Sequence, residues 1–522
     1  MITRIFLSII SIGICSILFL ACADTSTSSR PNILFIMSDD HAKNAISIYT
    51  SKLVTTPNID RIAKEGIRFD NAFVTNAICA PSRAVILTGK YSHLNGLRDN
   101  RDVFDANQTT FTALLQNAGY YTAIVGKWHL KSTPKGFDYW KILPGQGHYY
   151  NPDFIEMGDT LKTEGYVTDL ITNYAIETLS HRDKTKPFCL LVHHKAPHRN
   201  WMPDTNKLNL FTDKDIPEPD NLFDDYSTRS AAARDQDLEI RRMFNGMDLK
   251  LKPSDELKTN TGGAEGWNAG PAWESVYNRL TPVQKKAWDA HYDSVIASYR
   301  ETKLSGKELL KWKYQRYIKD YLRCIVSIDD NIGLLLDYLD QQNLMENTIV
   351  VYTSDQGFFL GEHGWYDKRF MYEESAGMPL LIKYPAEVPA GKSSDALVLN
   401  LDLPSTFLDI AGVKIPDDMQ GLSLGPLLKG KKPENWRKAI YYHYYEYPHG
   451  WHKVKRHYGI RTDRYKLIHF YHDIDQWELY DLENDPGEMQ NLYDHPGYAE
   501  LVKELKVKLT ELQRQYKDDS AI

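Results

Sequence analysis

Five short, uninterrupted apolar runs constrain the fold of this 522-residue chain more than any other feature. They occupy residues 31–37, 121–125, 188–192, 348–353 and 379–382. Runs of this length without polar alternation are typical of strands buried on both faces of a parallel sheet. Helical patterns lie between them, at residues 107–118, 167–179 and 309–340. The alternation predicts an α/β fold in which helices cover both faces of a parallel or mixed sheet.

Two other regions do not follow this alternation. Residues 204–303 are polar and weakly periodic, so we predict a long, partly helical surface insertion. After a change of composition near residue 430, the chain carries strand-like segments and a final amphipathic helix, at residues 439–445, 458–462, 465–470, 477–481 and 498–516. We therefore predict a main domain at residues 31–430 and a smaller α+β domain with an antiparallel sheet at residues 437–522.

The N-terminus has the composition of an export signal. Arg4 precedes an apolar run at residues 5–20, which is shorter than a typical membrane-spanning helix. The run ends at Ala21-Cys22, which resembles a bacterial lipoprotein cleavage site and implies that Cys22 carries a lipid. The alternative is an ordinary secretory signal cut near Ala21 or Ala23. Either way, we predict that residues 1–22 are a signal peptide and that the protein is periplasmic or at the cell surface. Contact with the membrane is expected only through the lipid anchor.

The charge and the cysteine content of the chain argue against several classes of function and of site. A net charge of −7 and the lack of a long basic run argue against nucleic-acid binding. Cys189 lies in an apolar run and Cys324 in a helical pattern, so we predict that both are core residues. Zinc-type Cys/His spacing does not occur in the sequence. The chain therefore predicts neither a disulfide framework nor a zinc site.

The segment CAPSRAVILTG, from Cys79 to Gly89, predicts a turn followed by a helix over residues 82–90. We therefore expect Cys79 just ahead of a helix N-terminus, where free N–H groups and the helix dipole favour an anion and lower a thiol pKa. Arg83, one turn later, can bind an anion with tetrahedral oxygens. The alternative is a buried structural cysteine at a helix start.

The same eleven residues resemble the signature of the type I sulfatases, and the resemblance runs from residue 31 to the C-terminus. It implies an alkaline-phosphatase-like sandwich with a mixed, mostly parallel central sheet. It also implies that a maturation enzyme oxidises Cys79 to formylglycine (3-oxoalanine). Formylglycine is an aldehyde that hydrates to a geminal diol, and one hydroxyl of that diol is the nucleophile.

Paired oxygen ligands follow two of the predicted strands. Asp39-Asp40 comes after the first apolar run and Asp355-Gln356 after the fourth. Because ligand sites collect at the carboxyl ends of such strands, these oxygens should meet, and an all-oxygen set suits calcium rather than zinc. Alone, Asp39-Asp40 would more often cap a helix or turn. The resemblance implies a calcium site that also includes the modified Cys79, with Gln356 where the family often has Asn.

Cationic and protonatable residues follow the strands in the order in which the family carries them: Arg83, Lys127, His129, His198 and Lys368. The resemblance implies that they surround the sulfate ester. His198 is then the proton donor to the leaving oxygen, with Lys368 assisting, and His194 is the weaker candidate. His129 accepts the proton of the second hydroxyl, while Arg83 and Lys127 stabilise developing charge. For isolated residues, solvated loop positions would be the simpler interpretation.

The run from Ser354 to Ser375 resembles carbohydrate sulfatases of the N-acetylglucosamine-6-sulfatase group. It implies a sulfated glycan as the partner and removal of a 6-O-sulfate from N-acetylglucosamine at a chain end. Asp367 and Arg369 can then bind sugar hydroxyls, with His457 as a second clamp, or these residues can form structural salt bridges. Three alternatives remain: a sulfatase for another sugar position, a phosphonate or phosphodiester hydrolase with the same fold and formylglycine, and a non-catalytic glycan binder with unmodified Cys79.

Overall fold

A computed structural model of the chain describes residues 30–251 and 270–519, with no side-chain description at 270–273. The β-strands are β1 (Asn32–Ser38), β2 (Ile67–Phe69), β3 (Ala72–Phe73), β4 (Tyr121–Lys127), β5 (Tyr139–Leu143), β6 (Asp153–Glu156), β7 (Asp159–Lys162), β8 (Phe188–His193), β9 (Thr348–Ser354), β10 (Phe359–Leu360), β11 (Tyr366–Asp367), β12 (Leu380–Lys383), β13 (Lys392–Ser394), β14 (Val398–Leu399), β15 (Ala439–Tyr444), β16 (His457–Thr462), β17 (Tyr465–Phe470) and β18 (Gln476–Asp481). The α-helices are α1 (Pro57–Lys64), α2 (Cys79–Thr88), α3 (Ser92–Asn95), α4 (Phe111–Asn117), α5 (Val167–His181), α6 (Ala231–Arg234), α7 (Gly270–Tyr277), α8 (Pro282–Thr302), α9 (Gly306–Gln341), α10 (Glu373–Ala376), α11 (Asp402–Ile410), α12 (Gly425–Leu428) and α13 (Ala499–Tyr516).

The central sheet has ten strands in the order β13-β2-β12-β9-β1-β8-β4-β5-β6-β7. The inner strands β9, β1, β8, β4 and β5 are mutually parallel, as the unalternating apolar runs predict. The fifth predicted strand, β12, is present but lies antiparallel to β9. The sheet is therefore mixed and mostly parallel at its centre, and the predicted α/β fold is confirmed.

Both faces of the sheet are covered, which explains why its strands lack polar alternation. Successive residues of β1 enter different cores, with Ile33 and Phe35 on one side and Leu34 and Ile36 on the other. Helices α2, α4 and α11 pack together on the first side, and α1, α5 and α9 on the second. The polar side chains at the carboxyl ends of the strands are therefore held between two packed layers.

The segment predicted as a surface insertion contributes to the core instead. Leu249 and Leu251 are buried in the same core as α9, and Trp288 of α8 is fully buried there. Helix α8 begins with a capping box, in which the Thr281 side chain accepts from the backbone N–H of Gln284 and the Gln284 side chain accepts in return. The sequence pattern missed this packing because most of the buried residues lie outside regular elements.

Strands β15, β16, β17 and β18 form the predicted antiparallel sheet in simple sequential order, and α13 packs on it. The sheet is joined to the main body by buried hydrogen bonds. The Tyr442 hydroxyl accepts from the backbone N–H of Ala77 at 3.1 Å, and the Tyr91 hydroxyl donates to the carbonyl of Tyr441 at 3.0 Å. One of these contacts lies two residues from Cys79, so the C-terminal sheet supports the helix that carries it.

Within residues 30–251 and 270–519, no helix combines the length and apolarity needed to cross a membrane. The predicted signal peptide and Cys22 lie outside the described residues, and their roles remain predictions. Cys79, Cys189 and Cys324 are all buried as free thiols.

Candidate functional site

The parallel pairing of β1 with β9 brings two pairs of oxygen ligands together. Ser38 pairs with Ser354, so Asp39 and Asp40 leave β1 beside Asp355 and Gln356 leaving β9. The backbone N–H of Asp40, whose φ is +69°, donates to Asp355 Oδ1 at 3.1 Å. The carboxylates of Asp39, Asp40 and Asp355 are fully buried, with oxygens within 4.8 Å of one another. This grouping confirms that the strand ends meet.

The electrostatics of these carboxylates indicate a place for a cation. Burial, followed by the nearby Asp39, raises the pKa of Asp355 to about 8, and burial raises the pKa of Asp40 to about 6. Asp39 Oδ1 and Gln356 Oε1 are buried without a hydrogen-bond partner among the described residues. Unsatisfied oxygens beside mutually repelling carboxylates fit a bound metal ion, which would satisfy the former and relieve the latter.

Cys79 is the first residue of α2 rather than the residue before it, because the helix begins three residues earlier than the sequence pattern predicts. Its Sγ lies 3.7 Å from Nε2 of Gln356, so it borders the carboxylate cluster. The expected lowering of its thiol pKa is wrong. Burial raises the pKa of Cys79 above its ordinary value, although Lys368 opposes this. Desolvation of the thiolate outweighs the helix N-terminus.

Arg83 and Lys127 are buried beside the carboxylates. Arg83 donates to Asp355 Oδ2 from Nη2 at 2.9 Å and from Nε at 3.1 Å, and its Nη1 donates to the carbonyl of Lys127 at 2.8 Å. Lys127 ends β4, and its Nζ pairs with Asp39 and also donates to Gln146. Both cations are therefore fixed in place by the groups that neutralise them.

The remaining predicted residues close the same site. Lys368 follows β11 and donates from Nζ to the Asp40 carboxylate at 2.7 Å. His198 Nδ1 donates to the carbonyl of Arg199 at 2.6 Å, which leaves Nε2 directed at Asp40, 3.8 Å away. His129 has φ +59° and a buried Nδ1 without a hydrogen-bond partner in the described chain. Burial, and then Lys127, lowers the pKa of both imidazoles.

The structure brings Asp367 and Arg369 to the side of Lys368, in strained backbone conformations. Their φ values are +79° and +100°, in a region that non-glycine residues adopt rarely. The Arg369 guanidinium pairs with Asp367 and lies 3.4 Å from Glu446. His452 Nε2 lies 3.2 Å from the other oxygen of Asp367.

Sequence reasoning missed His452 and Glu446. They belong to the loop that connects β15 with β16, which has neither periodicity nor a family motif to single it out. The only available signal is the density of His, Tyr and Trp in that loop, and core packing accounts for such residues equally well.

His457 does not take the predicted position as a sugar clamp. It is fully buried at the start of β16, where Nδ1 donates to the carbonyl of Lys455 at 2.8 Å. Its Nε2 accepts from the backbone N–H of Met371 at 3.0 Å. Both nitrogens are engaged, so His457 supports the segment after Arg369 and has no nitrogen left for a hydroxyl. His194, the weaker candidate for proton donor, is buried, and neither of its ring nitrogens has a hydrogen-bond partner among the described residues.

Comparison with known proteins gives consistent relatives. The family model for Sulfatase matches residues 31–413, and that for the C-terminal part of N-sulphoglucosamine sulphohydrolase matches residues 361–515. The N-acetylglucosamine-6-O-sulfatase of Bacteroides thetaiotaomicron is 54% identical over 498 residues, which cover 94% of this chain and 88% of the relative.

Two solved structures are also similar. One, a complex with its substrate D-glucosamine-2-N,6-O-disulfate, has a TM-score of 0.90 at 54% identity and covers 94% of this chain and 99% of its own. The other, the phosphonate monoester hydrolase of Agrobacterium radiobacter, has a TM-score of 0.65 at 20% identity and covers 93% of this chain and 96% of its own. The second shares the fold alone.

Proposed function

The chain belongs to the sulfatase family, and from that premise we propose that it removes the 6-O-sulfate of N-acetylglucosamine in sulfated glycans. One observation carries the proposal: buried carboxylates, cations and imidazoles converge on Cys79 at the carboxyl edge of the sheet. The relative that is 54% identical over nearly the whole chain is an N-acetylglucosamine-6-O-sulfatase. The activity is that of a sulfuric ester hydrolase.

We propose that Cys79 is converted by a maturation enzyme to formylglycine, whose hydrate supplies the attacking hydroxyl. The burial of Cys79 and its raised pKa support this, because an unmodified thiol at this position is a poor nucleophile at neutral pH. Its neighbours Gln356 and Arg83 can orient a diol by hydrogen bonding.

We propose calcium as the metal, held by Asp39, Asp40, Asp355 and Gln356 together with the modified Cys79. Carboxylate and amide oxygens without imidazole or thiolate are the donor set that calcium prefers. When bound, such an ion supplies charge stabilisation to oxygens that approach it.

The protein's own side chains then divide the remaining work. Arg83 and Lys127 are held by Asp355 and Asp39, so they need no rearrangement to stabilise negative charge on the sulfate. His198 donates the proton from Nε2 as an imidazolium, because Nδ1 keeps its own proton on the Arg199 carbonyl. The neutral ring therefore takes up a proton from solvent on Nε2 before the sugar oxygen leaves. An anionic ester beside the imidazole counters the burial and the Lys127 charge that lower its pKa. Lys368 assists from the same side, and His129 accepts a proton in the second half of the reaction.

The residues beside Lys368 are buried, and this burial supports action on a terminal sugar. Asp367, Arg369 and His452 are each less than a tenth exposed. They place charged oxygens and N–H groups beside Lys368, where these can bind the hydroxyls of a single sugar ring. We therefore propose exo-action, with Asp367 and Arg369 reading the hydroxyls of the sulfated residue and His452 holding Asp367.

We also propose that the protein is exported to the periplasm or cell surface through its signal peptide and is anchored by lipid at Cys22. Membrane fractionation of the full chain, compared with a Cys22→Ala variant, tests the anchor. Release of the variant into the soluble fraction is expected. Equal membrane retention of both proteins would contradict lipidation at Cys22.

The activity is tested with matured protein on a panel of defined esters. N-acetylglucosamine-6-sulfate should be the best substrate among sugar sulfates that differ only in the sulfated position. Phosphonate monoesters and phosphodiesters serve as comparators, because a hydrolase of that class shares the fold. Faster turnover of a phosphonate ester than of every sulfate ester would overturn the proposal.

A further inference from the structure

A buried ion pair holds the loop that carries His198. Its two members, Arg199 and Asp248, both lie in the segment between β8 and α9. Arg199 Nε donates to Asp248 Oδ1 at 2.7 Å, and Nη2 donates to Asp248 Oδ2 at 2.6 Å. Asp248 is fully buried and Arg199 nearly so. The Arg199 guanidinium also lies 4.8 Å from the ring centre of Phe244 and 5.2 Å from that of Tyr366. Tyr366 immediately precedes Asp367 and Lys368, so this guanidinium joins both sides of the site.

The carbonyl of the same arginine sets the orientation of the imidazole. His198 Nδ1 donates to it at 2.6 Å, which fixes the proton on Nδ1 and directs Nε2 toward the carboxylate cluster. The next carbonyl, that of Asn200, accepts from Lys250 Nζ at 2.7 Å. Lys250 is itself buried and lies 3.3 Å from Asp320. Two charged side chains from residues 248–250 therefore hold the segment after His198, Asp248 through the Arg199 guanidinium and Lys250 through the Asn200 carbonyl.

We propose that Asp248 is a positioning residue for the reaction, acting through Arg199 to aim the imidazole of His198. The inference rests on the proposed role of His198 as proton donor. Both oxygens of Asp248 face donors: besides the two bonds from Arg199, its Oδ2 accepts from the backbone N–H of Phe244 at 2.8 Å. In an Asp248→Asn variant, one amide N–H group faces an Arg199 N–H group. The guanidinium must then shift, and the Arg199 backbone with it.

The test uses the dependence of the rate on the leaving group. A sugar alkoxide needs a proton as it departs, whereas a 4-nitrophenolate does not, so misplacement of the proton donor penalises the sugar ester selectively. Asp248→Asn should lower kcat on N-acetylglucosamine-6-sulfate by about ten- to a hundred-fold, but kcat on 4-nitrophenyl sulfate by less than about threefold. His198→Ala should show the same selectivity with a larger loss. Arg199→Lys keeps a charge opposite Asp248 without the two-point geometry, and it replaces Asp248→Asn if that variant does not fold.

A matched control separates positioning from general loss of a buried ion pair. Arg437 and Asp402 form another buried, two-point pair, and neither is in hydrogen-bonding contact with the site. Asp402→Asn should lower the melting temperature without selectivity between the two esters. Equal losses for both esters in Asp248→Asn, or the same selectivity in Asp402→Asn, would overturn the inference and leave the proposed function intact. Equal losses in His198→Ala would instead remove the proton-donor role itself, and the inference with it.

Discussion

Arg369 offers the most direct test of how the sugar is recognised. Its guanidinium is buried between Asp367 and Glu446, beside the lysine that contacts Asp40. Arg369→Ala removes the guanidinium, whose paired N–H groups we propose to bind sugar hydroxyls. Lys368 and the carboxylate cluster should keep their contacts. The variant should therefore lose action on the sugar ester far more than action on a small aryl sulfate.

The magnitude follows from the contacts that are lost. A hydrogen bond to a charged group contributes about 1.5–3 kcal/mol, so loss of a two-point contact should cost about 2–4 kcal/mol in the specificity constant after partial compensation by water. At 1.36 kcal/mol for each factor of ten, this corresponds to about a thirty- to thousand-fold fall in kcat/KM on N-acetylglucosamine-6-sulfate. Aryl sulfate turnover should fall by less than about fivefold, since that substrate lacks the hydroxyls.

The assay measures initial rates of sulfate release from both esters, with the formylglycine content of each preparation determined by peptide mass. Arg369→Lys keeps a positive charge for Asp367 and Glu446 but lacks the paired N–H groups, so it should retain folding and lose most of the sugar selectivity. Arg437→Ala, at a buried arginine outside the site, controls for destabilisation. Equal losses on both esters would mean that Arg369 only holds Lys368 in place. Unchanged kinetics on the sugar ester would remove Arg369 from the recognition surface.

Three further predictions concern the nucleophile, the metal and the core. Cys79→Ala should fold with an unchanged melting temperature and lose all ester hydrolysis; appreciable residual turnover would contradict the nucleophile assignment. Asp355→Ala or exhaustive chelation should abolish activity, with calcium restoring the chelated enzyme; stoichiometric zinc in elemental analysis would contradict the oxygen-ligand site. Asp320 is fully buried, and although burial raises its pKa, Arg316 and Lys250 hold that pKa below its ordinary value. The stability that the ionised Asp320 contributes is therefore present above about pH 4 and is lost as the pH falls further. Asp320→Asn should lower the free energy of urea unfolding at pH 7 by about 3–5 kcal/mol and should flatten the fall of that free energy at acid pH. An unchanged fall at acid pH would refute this.

The sequence could predict those site residues that lie at the end of a strand and belong to a recognisable motif. Asp39-Asp40 and Asp355-Gln356 each follow an unalternating apolar run, and parallel pairing is enough to bring such residues together. Lys127 is the last residue of β4, and His198 lies in the loop after β8. No knowledge of loop conformation is needed for the residues at the strand ends themselves.

The parts that sequence could not predict depend on loops and on burial. Asp248 and His452 reach the site from segments without periodicity, so only their tertiary contacts reveal them. His457 is predicted as a sugar clamp, but its two nitrogens are taken by backbone groups. For the pKa of Cys79, the sequence reveals the helix N-terminus, which lowers it, but not the burial, which raises it. A helix terminus contributes about 0.3–1 kcal/mol, whereas full burial can shift a pKa by about 3–5 units, so burial prevails.

The charge balance of the site indicates which esters it suits. Three buried carboxylates, on Asp39, Asp40 and Asp355, face three buried cations, on Arg83, Lys127 and Lys368. Burial lowers the pKa of both His129 and His198, so the imidazoles add no charge before substrate binds. If the proposed calcium ion keeps all three carboxylates ionised, the charges of these six residues cancel, and the ion adds two positive charges to the buried site. A singly charged sulfate ester and a deprotonated nucleophile balance those two charges, whereas a doubly charged phosphate monoester leaves one negative charge buried and unpaired. We therefore expect the arrangement of charges around Cys79 to favour monoanionic esters, before any contact with the sugar.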